Sequence, residues 1–359
     1  MPEPIRVAIL GLGRSGRNIH GACLSKLDGY KIAAVCDIDA NRRERAIKEY
    51  GCEAVEKYSD LYGRNDIDLV INALPSQLHA PVTLEFLRRG QAVQTEKPAA
   101  ATVREIDQLL LTAKSTGAGL YFFQNSRFLP WFMAAREILD SGVLGRVVQI
   151  KLWSNGFGRR WDWQTIQSNN AGSLRNTGPH PMDHAVVLMN TNAMPEIFCH
   201  FDRVNTWGDA EDFAKVIMRV QNGPVVDLEI SCCDFYPETQ MIVQAQYGTL
   251  KATAEKVTYK YYDTKTAPPQ KLVHKPIENE NGEPAYCREK LDVYEKSIDV
   301  GEGTVVIGGQ PSNAAVVTLY RKLYAHIREG ADYEITGRQV RQQIMITDEC
   351  HKIFPMSTL

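Results

Sequence analysis

Six residues near the amino terminus, Gly11-Leu12-Gly13-Arg14-Ser15-Gly16, constrain this chain more than any other stretch. They follow a β-branched run, residues 5–10, and open a helical pattern over 15–27. A G-x-G-x-x-G placed between a strand and a helix has a mechanism. Gly11 permits a tight turn, Gly13 lets a pyrophosphate approach the backbone, and Gly16 lets the helix pack closely on the strand. Phosphates then lie against the free N–H groups of the helix start. A second apolar run, 31–37, ends in Asp37, about 20 residues downstream, where a carboxylate holds the ribose hydroxyls of a dinucleotide. All six residues of the turn, Leu12, Arg14 and Ser15 included, are therefore read as cofactor-binding. Asp37 favours NAD, because a carboxylate repels a 2′-phosphate, while Arg42 and Arg43 nearby keep NADP open.

The strand–helix alternation continues with strands at 68–74, 91–95 and 119–123 and helices at 40–50, 78–89 and 103–115. That order predicts an α/β fold with a doubly wound parallel sheet covered on both faces. Near residue 125 the pattern changes. After a helix at 130–140, strand-like runs follow at 147–153, 196–204, 213–220, 225–233, 241–247 and 250–254. Gln221-Asn222-Gly223-Pro224 reads as a hairpin turn between two of them. A second, α+β domain with a large, mostly antiparallel open sheet is expected. One helix at 180–190 interrupts it, 263–312 reads as irregular, and helices at 314–328 and 338–353 end the chain. The division is placed at 1–125 and 126–359, and two domains suit 359 residues.

A net charge of -2, without long runs of one sign, argues against nucleic acid or a membrane surface as a partner. The opening MPEPIRVAIL lacks the features of a secretion signal, so the cytoplasm is the expected location. A half-apolar sheet on the second domain needs cover, which self-association into a dimer or tetramer would supply.

Further motifs extend the reading. Asn72-Ala73-Leu74-Pro75-Ser76-Gln77-Leu78-His79 ends a strand and opens a helix, and Glu96-Lys97-Pro98 follows the next strand. Then come Asn125-Ser126-Arg127-Phe128, Leu139-Asp140-Ser141-Gly142-Val143-Leu144-Gly145, and Asn176-Thr177-Gly178-Pro179-His180-Pro181-Met182-Asp183. In this order the set resembles the glucose–fructose oxidoreductase / inositol dehydrogenase family, often called Gfo/Idh/MocA. The resemblance implies a Rossmann domain followed by a substrate domain. It also implies NAD(P)-dependent interconversion of a secondary alcohol and a ketone on a sugar, inositol or related polyol. On these positions it implies that Leu74, Pro75 and His79 line the cofactor cleft. Glu96 would contact the nicotinamide ribose, Asn125 would approach the nicotinamide amide, and Lys97 and His180 would face the reacting carbon.

The chemistry agrees. Oxidising a carbinol requires its hydroxyl proton to leave as well, so a base must lie within hydrogen-bond reach and a donor must face the oxygen. Lys97 and His180 are the candidates. The Lys97–Pro98 bond is read as trans, the commoner X–Pro isomer. In a single helix Asn176, His180 and His184 would share one face at i, i+4 spacing. Asn176 stands where many members of the family carry Asp, which leaves the proton acceptor open between His180 and Lys97. Asp183 is a candidate to orient His180. Arg127 is read as substrate-binding or as half of a structural ion pair. Trp161 and Trp163 offer aromatic faces to the C–H faces of a sugar or, alternatively, pack a loop. No metal is expected, because His180 and His184 lack a third ligand at a persuasive spacing. Two further readings stand beside the dehydrogenase: a glycosidase that uses transient oxidation by bound NAD, and a non-catalytic dinucleotide-binding sensor.

Overall fold

The computed structural model describes residues 3–301 and 303–358. Its amino-terminal half is built on six parallel strands: β1 (Ile5–Leu10), β2 (Tyr30–Cys36), β3 (Glu53–Val55), β4 (Leu69–Asn72), β5 (Val93–Thr95) and β6 (Leu120–Phe122). They lie in the order β3-β2-β1-β4-β5-β6. The first residue of β1, Ile5, and its last four, Val7 among them, are buried, as expected for a strand covered on both faces. Strand order reverses between β1 and β4, which pair directly. A crevice forms outside the carboxyl ends of the strands at such a switch point, the standard ligand position in open α/β sheets. Strand β3 escapes the sequence reading because it is only three residues long and partly exposed.

The second sheet has eight strands. They are β7 (Val147–Asn155), β8 (Glu196–Asp202), β9 (Phe213–Arg219), β10 (Val225–Ser231), β11 (Met241–Ala245), β12 (Gly248–Ala252) and β13 (Lys256–Tyr262). After two short strands, β14 (Ile277–Glu278) and β15 (Pro284–Ala285), β16 (Val293–Asp299) completes it. The order is β16-β13-β12-β11-β7-β10-β9-β8. All neighbours are antiparallel except β7 and β10. The turn expected at 221–224 joins β9 to β10, with Asn222 at φ 61. Strand β16 corrects the irregular reading of 263–312. It is exposed along its whole length, so it lacks the inside–outside alternation that reveals a half-buried strand.

One face of this sheet buries Val226, Leu228 and Ile230 of β10 with Met218 of β9 and Leu152 of β7. Helices Pro130–Asp140, Pro179–Met189 and Gly337–Ile353 cover it through Phe132, Met182, Val186 and Ile346. The helix Ala314–Glu329 packs elsewhere. Its Val316, Leu319, Tyr320 and Leu323 join the core of the parallel sheet.

A buried ion pair ties these elements together. Arg127, 1% exposed, donates from Nε and Nη2 to Asp183 at 2.9 and 2.5 Å. Its Nη1 reaches the Glu334 carbonyl at 2.6 Å and Gln339 Oε1 at 2.9 Å. This decides between the two readings of Arg127 in favour of the structural ion pair, with its guanidinium spent on protein acceptors, and corrects the reading of Asp183. Asp183 is held by Arg127 and is not an orienter of His180. Asn176 is also displaced from the helix expected to carry it. It ends a separate short helix, Ser173–Asn176, before Pro179–Met189 begins. The Lys97–Pro98 peptide is cis, against the trans expectation. Removing one partner of a buried pair strands the other charge, at a cost of about 3–5 kcal/mol. Asp183→Ala is therefore expected to lower the unfolding free energy in urea by that order. A loss below about 1 kcal/mol, the range of exposed pairs, would remove the pair from the fold's supports.

Candidate dinucleotide and substrate site

The glycine turn is fixed by backbone sterics. Gly11 has φ +84, and a Cβ there would meet the Ala73 carbonyl oxygen at 2.7 Å. A Cβ on Gly16 would lie 1.7 Å from the Gly11 carbonyl oxygen. Around Gly13, by contrast, nothing lies within 4 Å of the position a Cβ would take. The two outer glycines are thus required by the protein's own backbone, while the middle one faces open space. No side chain caps the helix that starts at Gly16. The Arg17 N–H is taken by the Gly13 carbonyl at 3.0 Å, and the positive end of the helix dipole favours a ligand's negative charge beside this turn.

Around this turn lies a cleft of about 720 Å³, well within the range of small-molecule and cofactor sites. Four strand ends supply its walls. Gly11, Gly13, Arg14 and Ser15 follow β1, and Asp37, Ile38 and Arg42 follow β2. Leu74, Pro75 and His79 follow β4, and Glu96 and Lys97 follow β5. Leu12 and Gly16 stand behind the surface, and Leu12 is buried. Asp37 accepts the backbone N–H of Leu12 at 2.7 Å and of Asp39 at 2.9 Å, with Arg42 at 3.5 Å. The carboxylate is thereby held at the mouth of the cleft, beside the glycine turn. Open space at Gly13, an uncapped helix start and a fixed carboxylate together fit a dinucleotide.

The second domain closes the other side. Arg160, Asp162, Trp163, Gln164 and Asn176 line the same cleft. The Lys97 ammonium donates to the backbone carbonyl of Asn176 at 2.6 Å, so the two halves meet at this lysine. Gln164 donates to Asn176 Oδ1 at 3.0 Å and itself accepts from Arg160. Arg160 and Gln164 were not singled out from sequence, and nothing in their spacing would have marked them. Trp163 lies in the cleft wall, whereas Trp161 is 75% exposed and lines neither cavity.

A second cavity of about 210 Å³ adjoins the sheet. Asn125, Trp131, Trp153, His180, His184 and Gln240 are among its lining residues. Asn125 and His180 therefore stand in this smaller space, apart from the cleft that holds Lys97. His180 Nδ1 is buried and has no hydrogen-bond partner among the described residues. His184 is occupied instead. Its Nε2 faces the Ser126 carbonyl at 2.9 Å, and its ring stacks on Phe132 with centroids 3.9 Å apart.

Electrostatics separates the candidates. Burial, reinforced by the charge of Lys97, pushes the His180 imidazole down to about 3, so it is neutral near pH 7. Burial lowers the Lys97 ammonium as well. Glu96 opposes that shift, and Arg14 and Arg160 add to it. Burial would raise the Glu96 carboxyl, but the hydrogen bond and charge of His20, with Lys97, hold it at about 2. Among the described residues, no group of three or more His, Cys, Asp or Glu is placed to hold a metal, and no helix is long and apolar enough to cross a membrane.

Comparison with known proteins agrees with this arrangement. The oxidoreductase family with an NAD-binding Rossmann fold, GFO_IDH_MocA, matches residues 5–123, and the C-terminal domain of the same family matches 132–251. An uncharacterized oxidoreductase of Schizosaccharomyces pombe is 30% identical over 193 residues, 52% of this chain and 52% of that protein. The scyllo-inositol 2-dehydrogenase (NADP(+)) IolW of Bacillus subtilis is 25% identical over 350 residues, 94% of this chain and 90% of the relative. In fold, the chain superposes on an NAD-binding protein from Listeria innocua with a TM-score of 0.78 at 18% identity, covering 99% of this chain and all of the other. With both halves of the family matched in order around one NAD-binding cleft, the chain belongs to the Gfo/Idh/MocA oxidoreductases.

Proposed function

We propose that this oxidoreductase interconverts a secondary alcohol and a ketone on a single sugar, inositol or related polyol ring, with Lys97 as the proton-transferring group. One observation carries the reading. A dinucleotide-sized cleft is lined by Lys97, a half-buried lysine bound to the Asn176 carbonyl, and a cavity suited to one ring is bounded by His180. Bound nicotinamide supplies the hydride acceptor or donor. The glycine turn and Asp37 would hold the dinucleotide, with Leu74, Pro75 and His79 along the wall.

The chain's own residues then divide the work. A histidine pushed down to about 3 is a poor proton acceptor near pH 7, but its unpaired Nδ1 is free to bind a substrate hydroxyl. A lysine depressed below its ordinary value accepts the hydroxyl proton far more readily. Protonated again, it stabilises charge on the same oxygen in the reverse direction. Trp153 and Trp131 give the cavity apolar faces, and Gln240 and Asn125 add polar contacts for hydroxyl groups. Asn176 orients Lys97 through its main chain and Gln164 through its side chain.

Two outcomes test this. Lys97→Ala is expected to lower kcat roughly 100- to 10,000-fold on a sugar or inositol that turns over, with NAD affinity largely kept. For the unaltered protein, the base must be neutral to accept a proton. Alcohol oxidation should therefore rise with pH and level off below the pH at which an ordinary lysine titrates. Unchanged turnover in Lys97→Ala ends the assignment, and release of free sugar with no net change in NADH would favour the glycosidase reading. Asp37→Ser keeps an acceptor for the turn but removes the charge. It is expected to shift the NADP-to-NAD ratio of kcat/KM upward by about tenfold, and an unmoved ratio would take Asp37 out of cofactor choice.

A further inference from the structure

Beneath the cleft lies a buried chain of polar groups that the mechanism above does not use. The Tyr320 hydroxyl meets His20 Nδ1 at 2.6 Å, and His20 Nε2 meets Glu96 Oε1 at 3.1 Å. Glu96 Oε2 accepts the backbone N–H of Lys97 at 3.0 Å. His20 and Tyr320 are fully buried and Glu96 nearly so. Three separate elements supply these groups: the first helix, the end of β5 and the penultimate helix Ala314–Glu329.

The tyrosine hydroxyl and Nδ1 share one bond, Nε2–H donates to the carboxylate, and the carboxylate's other oxygen takes the Lys97 amide. The Glu96 carboxylate is thereby buried and fixed next to the lysine's backbone. The ring of His20 is wedged by Phe123, edge-on at 4.5 Å, and the Tyr320 backbone carbonyl accepts from the Tyr30 hydroxyl at 2.8 Å.

We propose that His20 and Tyr320 are positioning residues for Lys97, locking the Glu96 carboxylate so that it pins the lysine's backbone and stays fixed beside the residue. The inference rests on the reading of Lys97 as the proton-transferring group. The other groups acting on this lysine oppose the lock: Arg14 from the glycine turn and Arg160 from the second domain both push its ammonium down. His180, neutral, adds no charge of its own. Around Glu96 the remaining titratable neighbour is His79, whose nitrogens face the carbonyls of Pro98 and Leu74 at 2.8 and 2.7 Å. Around Tyr320 lie Tyr30, Tyr333 and Cys23, all raised by burial and therefore uncharged near neutrality. Glu96 is thus the one negative group acting on Lys97 against two arginines and burial, and its hold depends on the donor from His20.

The test reads Lys97 directly. The lysines are reductively methylated with ¹³C-formaldehyde and the Lys97 signal, assigned by its loss in Lys97→Arg, is titrated by NMR. Glu96→Gln should move its midpoint down by about one pH unit or more, the size of effect a close charge produces. His20→Phe and the volume-conserving Tyr320→Phe should move it in the same direction by less, because each releases the carboxylate. With Glu96→Gln already in place, neither should move it further. A midpoint unmoved by Tyr320→Phe and His20→Phe, or one moved equally with and without Glu96→Gln, would overturn the proposal. NAD binding by each variant confirms the fold, and Tyr320→Phe alone carries the test should His20→Phe not fold. Because the readout is a titration, it stands apart from the Lys97→Ala assay. Loss of the Lys97 assignment there would leave the coupling intact but without a catalytic role.

Discussion

The site depends first on how closely two pieces of backbone approach at the glycine turn. Gly16 comes so near Gly11 that any side chain would overlap its carbonyl oxygen, and Gly11 in turn abuts Ala73. These contacts lock the end of β1 to the helix that follows and to the segment leaving β4. The strand order reverses at that same place, so the crevice opens where the backbone is most tightly fixed. Asp37 reinforces the arrangement by accepting the Leu12 N–H. One carboxylate therefore shapes the turn and also faces the mouth of the cleft.

The second constraint is that a lysine sits where two halves of different architecture meet. Its backbone belongs to the parallel-sheet half, and its ammonium is bound by a carbonyl from the other half. Partly removed from water and lowered by the charges of two arginines, such a group loses its charge easily unless a carboxylate stands near. The fold meets that need with Glu96, itself kept ionised from below. The helix Ala314–Glu329 returns from the end of the chain to pack on the parallel sheet and brings Tyr320 to this point. The last fifty residues thus complete a site whose glycine turn lies at the beginning.

Much of this was legible in the residues. Gly11 and Gly16 carry steric meaning at the level of single atoms, so their turn could be read without coordinates. Parallel strands were visible because continuous burial demands continuous apolar runs, as in Ile5–Leu10. Strand β16 was hidden for the opposite reason, since exposure on both faces erases its period. Long-range polar pairing was hidden as well. Arg127 and Asp183 lie 56 positions apart, and His20 and Tyr320 lie 300 apart. No local pattern announces such partners, because the fold alone decides which polar groups share a buried space. The spacing of Asn176, His180 and His184 suggested one helix face. The break at Thr177 and Gly178 separates them, and Gly178 packs so closely on Leu174 that a side chain there would overlap its carbonyl.

The amide at position 176 follows from the same geometry. Many proteins of this family carry aspartate there, and the loss of a carboxylate near the reacting atoms looks like a loss of function. Here Lys97 is bound by the main-chain oxygen of Asn176, which a change from aspartate to asparagine leaves in place. The side-chain oxygen accepts from Gln164, an interaction that either residue supports. What changes is charge. Without a carboxylate at 176, the positive groups Arg14, Arg160 and Lys97 are opposed locally by Glu96 and by Asp162, the latter paired to Arg160 at 2.8 Å. A lysine with fewer negative neighbours gives up its proton more readily. On the proposed reading of Lys97, asparagine at 176 therefore favours proton transfer by the lysine over the histidine, whose Nδ1 has no partner among the described residues.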